Sequence, residues 1–299
     1  MRVLKSMALL ILTNLAIITV LNIVVNVFGL DTIWMKRTGI DVKALFVGSA
    51  IIGFSGAFLS LALSRIIAKW STGAQVITTP RDETETWLVA TVQRLAQQAN
   101  IGMPEVAIFP SEDLNAFATG PTRNRSLVAV SAGLLRGMRR DEIEAVLAHE
   151  IAHVANGDMV TMTLLQGVLN TFIIALSRVI GYAVDAALRG NNRDRGPGIG
   201  YYIANIASQV VLGILATVIV SWFSRRREFR ADAGAAKLNG KQPMIAALER
   251  LRRNGDGPAD LPDTVKAFGI RDGGRSYMAL FRSHPPLEAR IAALQSAPG

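Results

Sequence analysis

Apolar residues run in four long blocks along the chain, at residues 7–30, 44–67, 159–187 and 203–223. Each is long enough to cross an apolar layer of about 30 Å as a helix. The first follows Arg2 and Lys5, exceeds the apolar core of a signal peptide, and is followed by no small-x-small cleavage site. It therefore predicts an uncleaved membrane helix. The second carries Gly48, Ser49, Gly53, Ser55 and Gly56, small residues that let helices approach closely in lipid, and ends at Arg65, Lys69 and Trp70. The third contains Gln166, Asn170, Arg178 and Asp185. Such groups face protein or water, so this segment either tilts, packs against its partner, or stops early near Ser177. The fourth is uninterrupted and runs into Arg225, Arg226 and Arg227. Between the last two, residues 189–198 form a turn-rich polar loop with three arginines.

Outside the blocks the spacing shortens. Trp87, Leu88, Thr91, Val92 and Leu95 recur every three to four positions, which predicts a helix over 82–100. Residues 103–110 alternate like a strand bounded by prolines. Residues 115–120 and 126–131 predict two further short strands, joined by a Gly-Pro turn with Arg123 and Arg125. A second amphipathic helix follows, with Asp141 as the predicted N-cap and Glu142 and Glu144 near its positive end. Ile143, Val146, Leu147, Ile151 and Val154 form its apolar face, and Asn156-Gly157 is its stop signal. The third apolar block begins almost at once, so the polar face of this helix is expected at the membrane surface.

Composition supports a membrane protein. Of 299 residues, 50% are hydrophobic and only 18% charged, against about 25% charged in soluble proteins. Cysteine is absent, which excludes disulfides, thiolate metal sites and cysteine nucleophiles. The net charge of +9 comes from basic residues clustered beside the apolar blocks. That is the membrane pattern, and no basic stretch interleaved with aromatics points to nucleic acid. Arg2 and Lys5, Arg65 and Lys69, and Arg225, Arg226, Arg227 and Arg230 fall on one side if four spans cross. The positive-inside rule makes that side cytoplasmic, with the arginines of the 189–198 loop as the one group against it.

The chemistry resides in His149-Glu150-Ile151-Ala152-His153, which holds two of the three histidines in the chain. On a helix, positions i and i+4 share a face, so both imidazoles can grip one metal ion, with Glu150 beside the open position as a base. A third protein ligand must come from a residue other than Cys. The candidates are His284, Asp158 and Glu228. Glu228 and Asp232 share a face of the helix expected after the fourth block. One can bind the metal while the other holds a ligand imidazole by its second nitrogen.

His149 to His153, the following Asn156-Gly157-Asp158, and Glu228-Phe229-x-Ala231-Asp232 after a hydrophobic hairpin resemble the HtpX family. These are membrane-bound zinc endopeptidases whose catalytic motifs are similar to those of the Ste24 prenyl protease and Oma1. The resemblance covers nearly the whole chain, in the family's order. It implies a mainly α membrane protein, with four hydrophobic helices and a zincin-like α+β metalloprotease domain built on a small sheet. The expected segments are an N-terminal hairpin (1–70), a first protease half (71–157), a second hairpin (158–224) and a second protease half (225–299). The resemblance implies one Zn2+ bound by His149, His153 and Glu228, with Glu150 as general base and Asp232 supporting a ligand. It points to Asn115, Ala116, Phe117 and Ala118 as an edge strand that binds an extended substrate, the alternative being an ordinary core strand. His284, in a late His-Pro motif, either stabilises the oxyanion or serves the fold. Asp158 matches the family pattern without an assigned role.

The expected partners are polypeptides, mainly membrane proteins, and the lipid bilayer of a prokaryotic inner membrane. The expected task is clearance of damaged membrane proteins on the cytoplasmic side. Two rivals differ in kind. An intramembrane site-2-type protease would bury the motif in a span, but Arg139, Arg140, Asp141, Glu142 and Glu144 precede it here. A non-catalytic scaffold or chaperone would not need the complete set of metal ligands and base.

Overall fold

The computed structural model describes residues 41–189, 197–254 and 284–297. The apolar block at 7–30 and residues 190–196 of the polar loop lie outside the described residues. The elements in chain order are α1 (Val42–Thr72), β1 (Gln75–Val76), α2 (Glu83–Gln98), β2 (Glu105–Phe109), β3 (Ala116–Thr122), β4 (Arg125–Ser131), α3 (Ala132–Gly137), α4 (Arg140–Asn156), α5 (Asp158–Arg189), α6 (Ile199–Asn239), α7 (Lys241–Arg253) and α8 (Leu287–Ser296). The chain is mostly helical, with one small mixed sheet. It divides into two units, one drawn from residues 1–59 and 161–220 and the other from 60–160 and 221–299.

In the first unit, the described chain is helical throughout apart from Asp41 and the residues that lead into α6. Among the described residues, α1, α5 and α6 are long and apolar enough to cross a membrane. The 32 residues of α5 make a rod of about 48 Å at 1.5 Å per residue. It does not stop at Ser177: that hydroxyl donates to the Ile174 carbonyl at 3.2 Å within the turn, and the helix runs on to Arg189. Asp185 is turned inward, accepting from the Gly198 amide at 3.1 Å where the chain re-enters α6. At Gly53, α1 meets α5 so closely that a Cβ would lie 2.8 Å from the Thr171 amide nitrogen. Large apolar side chains such as Ile51, Ile203, Val210 and Ile214 stay exposed, as expected of helices whose solvent is lipid.

The second unit holds the sheet, with strand order β1-β2-β4-β3. β2 and β4 pair in parallel, and β1 and β3 flank them antiparallel. Alternation sorts the side chains. Val106, Ala116, Ala118, Val128 and Val130 join a core with α2, α4, α7 and α8. Ala107, Phe109, Phe117, Leu127 and Ala129 pack on the other face with Ala68 of α1. The Phe109 and Phe117 rings meet at a tilt of 43°, with 5.5 Å between centroids.

α2 starts at Asp82, whose carboxylate accepts from the Glu85 amide at 2.7 Å. α4 starts earlier than Asp141: its N-cap is Arg139. Glu142 at the third helical position reaches back to the Arg139 amide at 2.8 Å, and Asp141 pairs with the Arg139 side chain. That carboxylate satisfies the amide of the N-cap residue itself, the reciprocal half of a capping box. At its other end, Gly157 adopts φ 71°, a left-handed conformation that costs glycine little. The chain then turns directly into α5.

Candidate functional site

Helix spacing brings His149 and His153 to one face of α4, and α6 delivers Glu228 and Asp232 from the other side. The approach is close because Gly234 has no side chain; a Cβ there would sit 2.8 Å from Ala152 Cβ. The Nε2 atoms of the two histidines face each other at 3.1 Å. Glu228 is buried, with its carboxylate 3.5 Å from His149 Nε2 and 3.2 Å from His153 Nε2. These three residues each offer one ligand atom within 4.8 Å of the others.

The far nitrogens are also held. His149 Nδ1 lies 2.9 Å from Asp232 Oδ1, and His153 Nδ1 lies 2.7 Å from Asp158 Oδ2. A carboxylate can only accept, so each Nδ1 carries the proton and each Nε2 presents a lone pair. Two lone pairs and a carboxylate aimed at one point, with His149 and Glu228 buried and His153 partly so, repel unless a cation lies between them. Neither oxygen of Glu228 makes a well-directed hydrogen bond among the described residues. This donor chemistry fits a metal ion.

Electrostatics point the same way. Burial would push the His153 imidazole down, but the Glu228 carboxylate and the Asp158 hydrogen bond outweigh it and hold the group up at about 10. Burial likewise acts against His149, and Asp232 and Glu228 overcome it to raise its pKa. The surroundings thus favour positive charge where the imidazoles meet. Glu150 is buried beside them with one oxygen unpartnered among the described residues, and its pKa is raised chiefly by burial.

His284 comes to the same place, with Nδ1 2.9 Å from Glu228 Oε2. Asn115 and β3 lie apart from the ligand cluster in sequence but on the sheet edge packed beside α4. Residues 116–119 of β3 pair with β4 alone among the described residues, so the other side of this strand has no strand partner. Their side chains are buried on both faces. The strand is therefore both an edge strand and part of the core.

Arg290 is a residue that sequence reasoning missed. It is wholly buried, and its guanidinium grips Asp232 with two hydrogen bonds of 2.8 and 2.6 Å. Its NH1 lies 3.4 Å from Glu228 Oε2. A signal existed: Leu287, Arg290, Ile291 and Leu294 make one i, i+3, i+4, i+7 stripe on α8, and an arginine on a buried stripe needs a buried acid. Asp158 also gains a contact, as the partner of His153.

Comparison with known proteins supplies the rest. The description of peptidase family M48 matches residues 82–297. The chain is 56% identical over 297 residues to a protein named Protease HtpX homolog from Polaromonas naphthalenivorans (strain CJ2), covering 99% of this chain and 100% of that one. It is 58% identical over 296 residues to Protease HtpX of Xanthomonas campestris pv. campestris (strain B100), covering 99% and 98%. Its fold is similar to the crystal structure of S. mikatae Ste24p, with a TM-score of 0.60, 19% identity, and coverage of 96% of this chain and 67% of that one. With its apolar helices and its converging histidines and carboxylate, the chain belongs to peptidase family M48, among the HtpX proteases, and is a membrane metalloprotease.

Proposed function

We propose that the protein is a zinc endopeptidase in which His149, His153 and Glu228 bind the metal and Glu150 is the general base. The observation that carries this reading is the convergence of two Nε2 lone pairs and one buried carboxylate at 3.1–3.5 Å. Ligands on a tetrahedral zinc with bonds of about 2.0–2.1 Å stand ~3.3 Å apart. Zinc bound there would polarise the scissile carbonyl and lower the pKa of the attacking water.

The chain's own groups do the rest. Glu150 takes the proton of the attacking water and hands it to the leaving amine; its raised pKa suits a group that must do both. His284, buried with Nδ1 2.9 Å from Glu228 Oε2, helps to stabilise the developing oxyanion. Asp232 and Asp158 hold the two ligand imidazoles in the metal-binding tautomer. Residues 115–118 hold the substrate as an added strand along the open edge of β3.

We infer a four-span protein of a prokaryotic inner membrane, with the termini and protease body cytoplasmic. The segments are a hairpin at 1–70, protease halves at 71–157 and 225–299, and a second hairpin at 158–224. The lysine and arginine flanks support this orientation. A protease anchored in the bilayer and open to the cytoplasm is suited to clearing damaged or misassembled membrane polypeptides.

Glu150→Gln tests the chemistry. The variant should keep one zinc per chain and lose cleavage of casein by roughly 10²–10⁴-fold. Cleavage at the wild-type rate would refute Glu150 as the base. For orientation, single cysteines placed at 190–198 should be labelled only from outside the cytoplasm. Labelling from the cytoplasmic side would refute a spanning second hairpin.

A further inference from the structure

The Glu228-Phe229-x-Ala231-Asp232 pattern leaves position 230 open, and Arg230 fills it in this chain. Glu228 and Asp232 face the site from one side of α6, whereas Arg230 is two residues on and its side chain is 54% exposed. Its guanidinium nevertheless reaches back to α5 and makes a short charged hydrogen bond to Asp158 Oδ1. Asp158 is wholly buried, and its other oxygen, Oδ2, holds His153 Nδ1 at 2.7 Å. One carboxylate is therefore shared by a surface cation and a ligand imidazole.

We propose that Arg230 is a positioning residue for the metal site, acting through Asp158 on His153. A carboxylate with only one oxygen anchored can rotate. Pinning Oδ1 leaves Oδ2 one direction in which to accept, and that direction sets the ring angle of His153. The ring angle in turn decides whether Nε2 points to where His149 and Glu228 converge. Outer partners of this kind change metal affinity or activity by roughly 10–100-fold when removed. Arg227, buried on the same helix, also acts on Asp158 through its field, so the effect of losing Arg230 belongs at the lower end, about tenfold.

The inference rests on the metal-ligand reading above, and the test separates the two. Full-length protein in detergent would be stripped of metal and titrated with zinc against a chromophoric chelator, then assayed on a fluorogenic peptide. Arg230→Met should weaken zinc binding about tenfold and lower kcat with KM little changed. Cobalt-loaded R230M should show an altered visible spectrum, which loss of stability alone would not produce. Arg230→Lys should recover most of the affinity. Arg226→Met removes a neighbouring arginine that stacks on Trp222 instead, and should behave as wild type. In an Asp158→Asn background, R230M should add nothing further.

R230M with wild-type affinity and kcat would overturn the proposal. So would an equal effect of R226M, or a full additive effect in D158N, because neither acts through Asp158. Glu228→Gln is the separate check. If it binds zinc as tightly as wild type, the ligand reading itself fails. If it loses zinc while R230M is unchanged, only the role of Arg230 falls.

Discussion

Arg290→Met isolates the energetics of the site. Methionine matches the length of the aliphatic stem but removes a guanidinium that makes two hydrogen bonds to Asp232 and stands 3.4 Å from Glu228. Both carboxylates are buried, and so is Arg290. Removing one member of a buried pair leaves the other charge without compensation, a loss of about 3–5 kcal/mol. For a unit of this size each kcal/mol lowers Tm by about 2–4 °C, so metal-free R290M should melt roughly 6–20 °C below wild type. If zinc binds Glu228 as proposed, the loss should shrink when zinc is present, because the metal then offsets that charge. Circular dichroism melts of the detergent-solubilised protein, with and without zinc, measure both numbers. A metal-free variant melting within about 1 °C of wild type would refute the reasoning. An equal loss in both states would show that Arg290 and the metal do not share Glu228.

Three further outcomes follow from close packing and from the metal. Gly234→Val places a branched side chain where even a Cβ would be 2.8 Å from Ala152. It should push α6 from α4, cost about 1–3 kcal/mol, and weaken zinc binding in the chelator titration. Gly53→Leu would drive α1 and α5 apart at Thr171. It should lower Tm of the detergent-solubilised protein while leaving zinc stoichiometry unchanged; loss of zinc would refute that expectation. A strong chelator should abolish peptide cleavage and lower Tm, and added zinc should restore both.

Much of the fold was legible along the chain because its signals are local. The apolar blocks at 44–67, 159–187 and 203–223 are long enough to specify helices on their own. Alternation at 103–110, and the short strand expected at 126–131, marked strands that are buried on both faces. Asp141 misled as a cap because the helix is capped two residues earlier, at Arg139, whose amide is taken by Glu142. Ser177 misled as a stop because a hydroxyl can bond within its own helix turn.

By itself the sequence determined the pairing of His149 with His153, since four residues on a helix is one turn whatever surrounds it. It also determined the long apolar helices and the left-handed stop at Gly157, because length, periodicity and a missing Cβ act within a few residues. The tertiary structure decided what depends on distance. Glu228 meets His149 across almost eighty residues only because α6 passes close to α4 at Gly234. Arg290 reaches Asp232 from a helix that the chain enters only near its end. Asp158 proves to be a neighbour of both His153 and Arg230. A buried charge must find an opposite charge to stay buried, but that need does not name the partner; the packing of α4, α6 and α8 does.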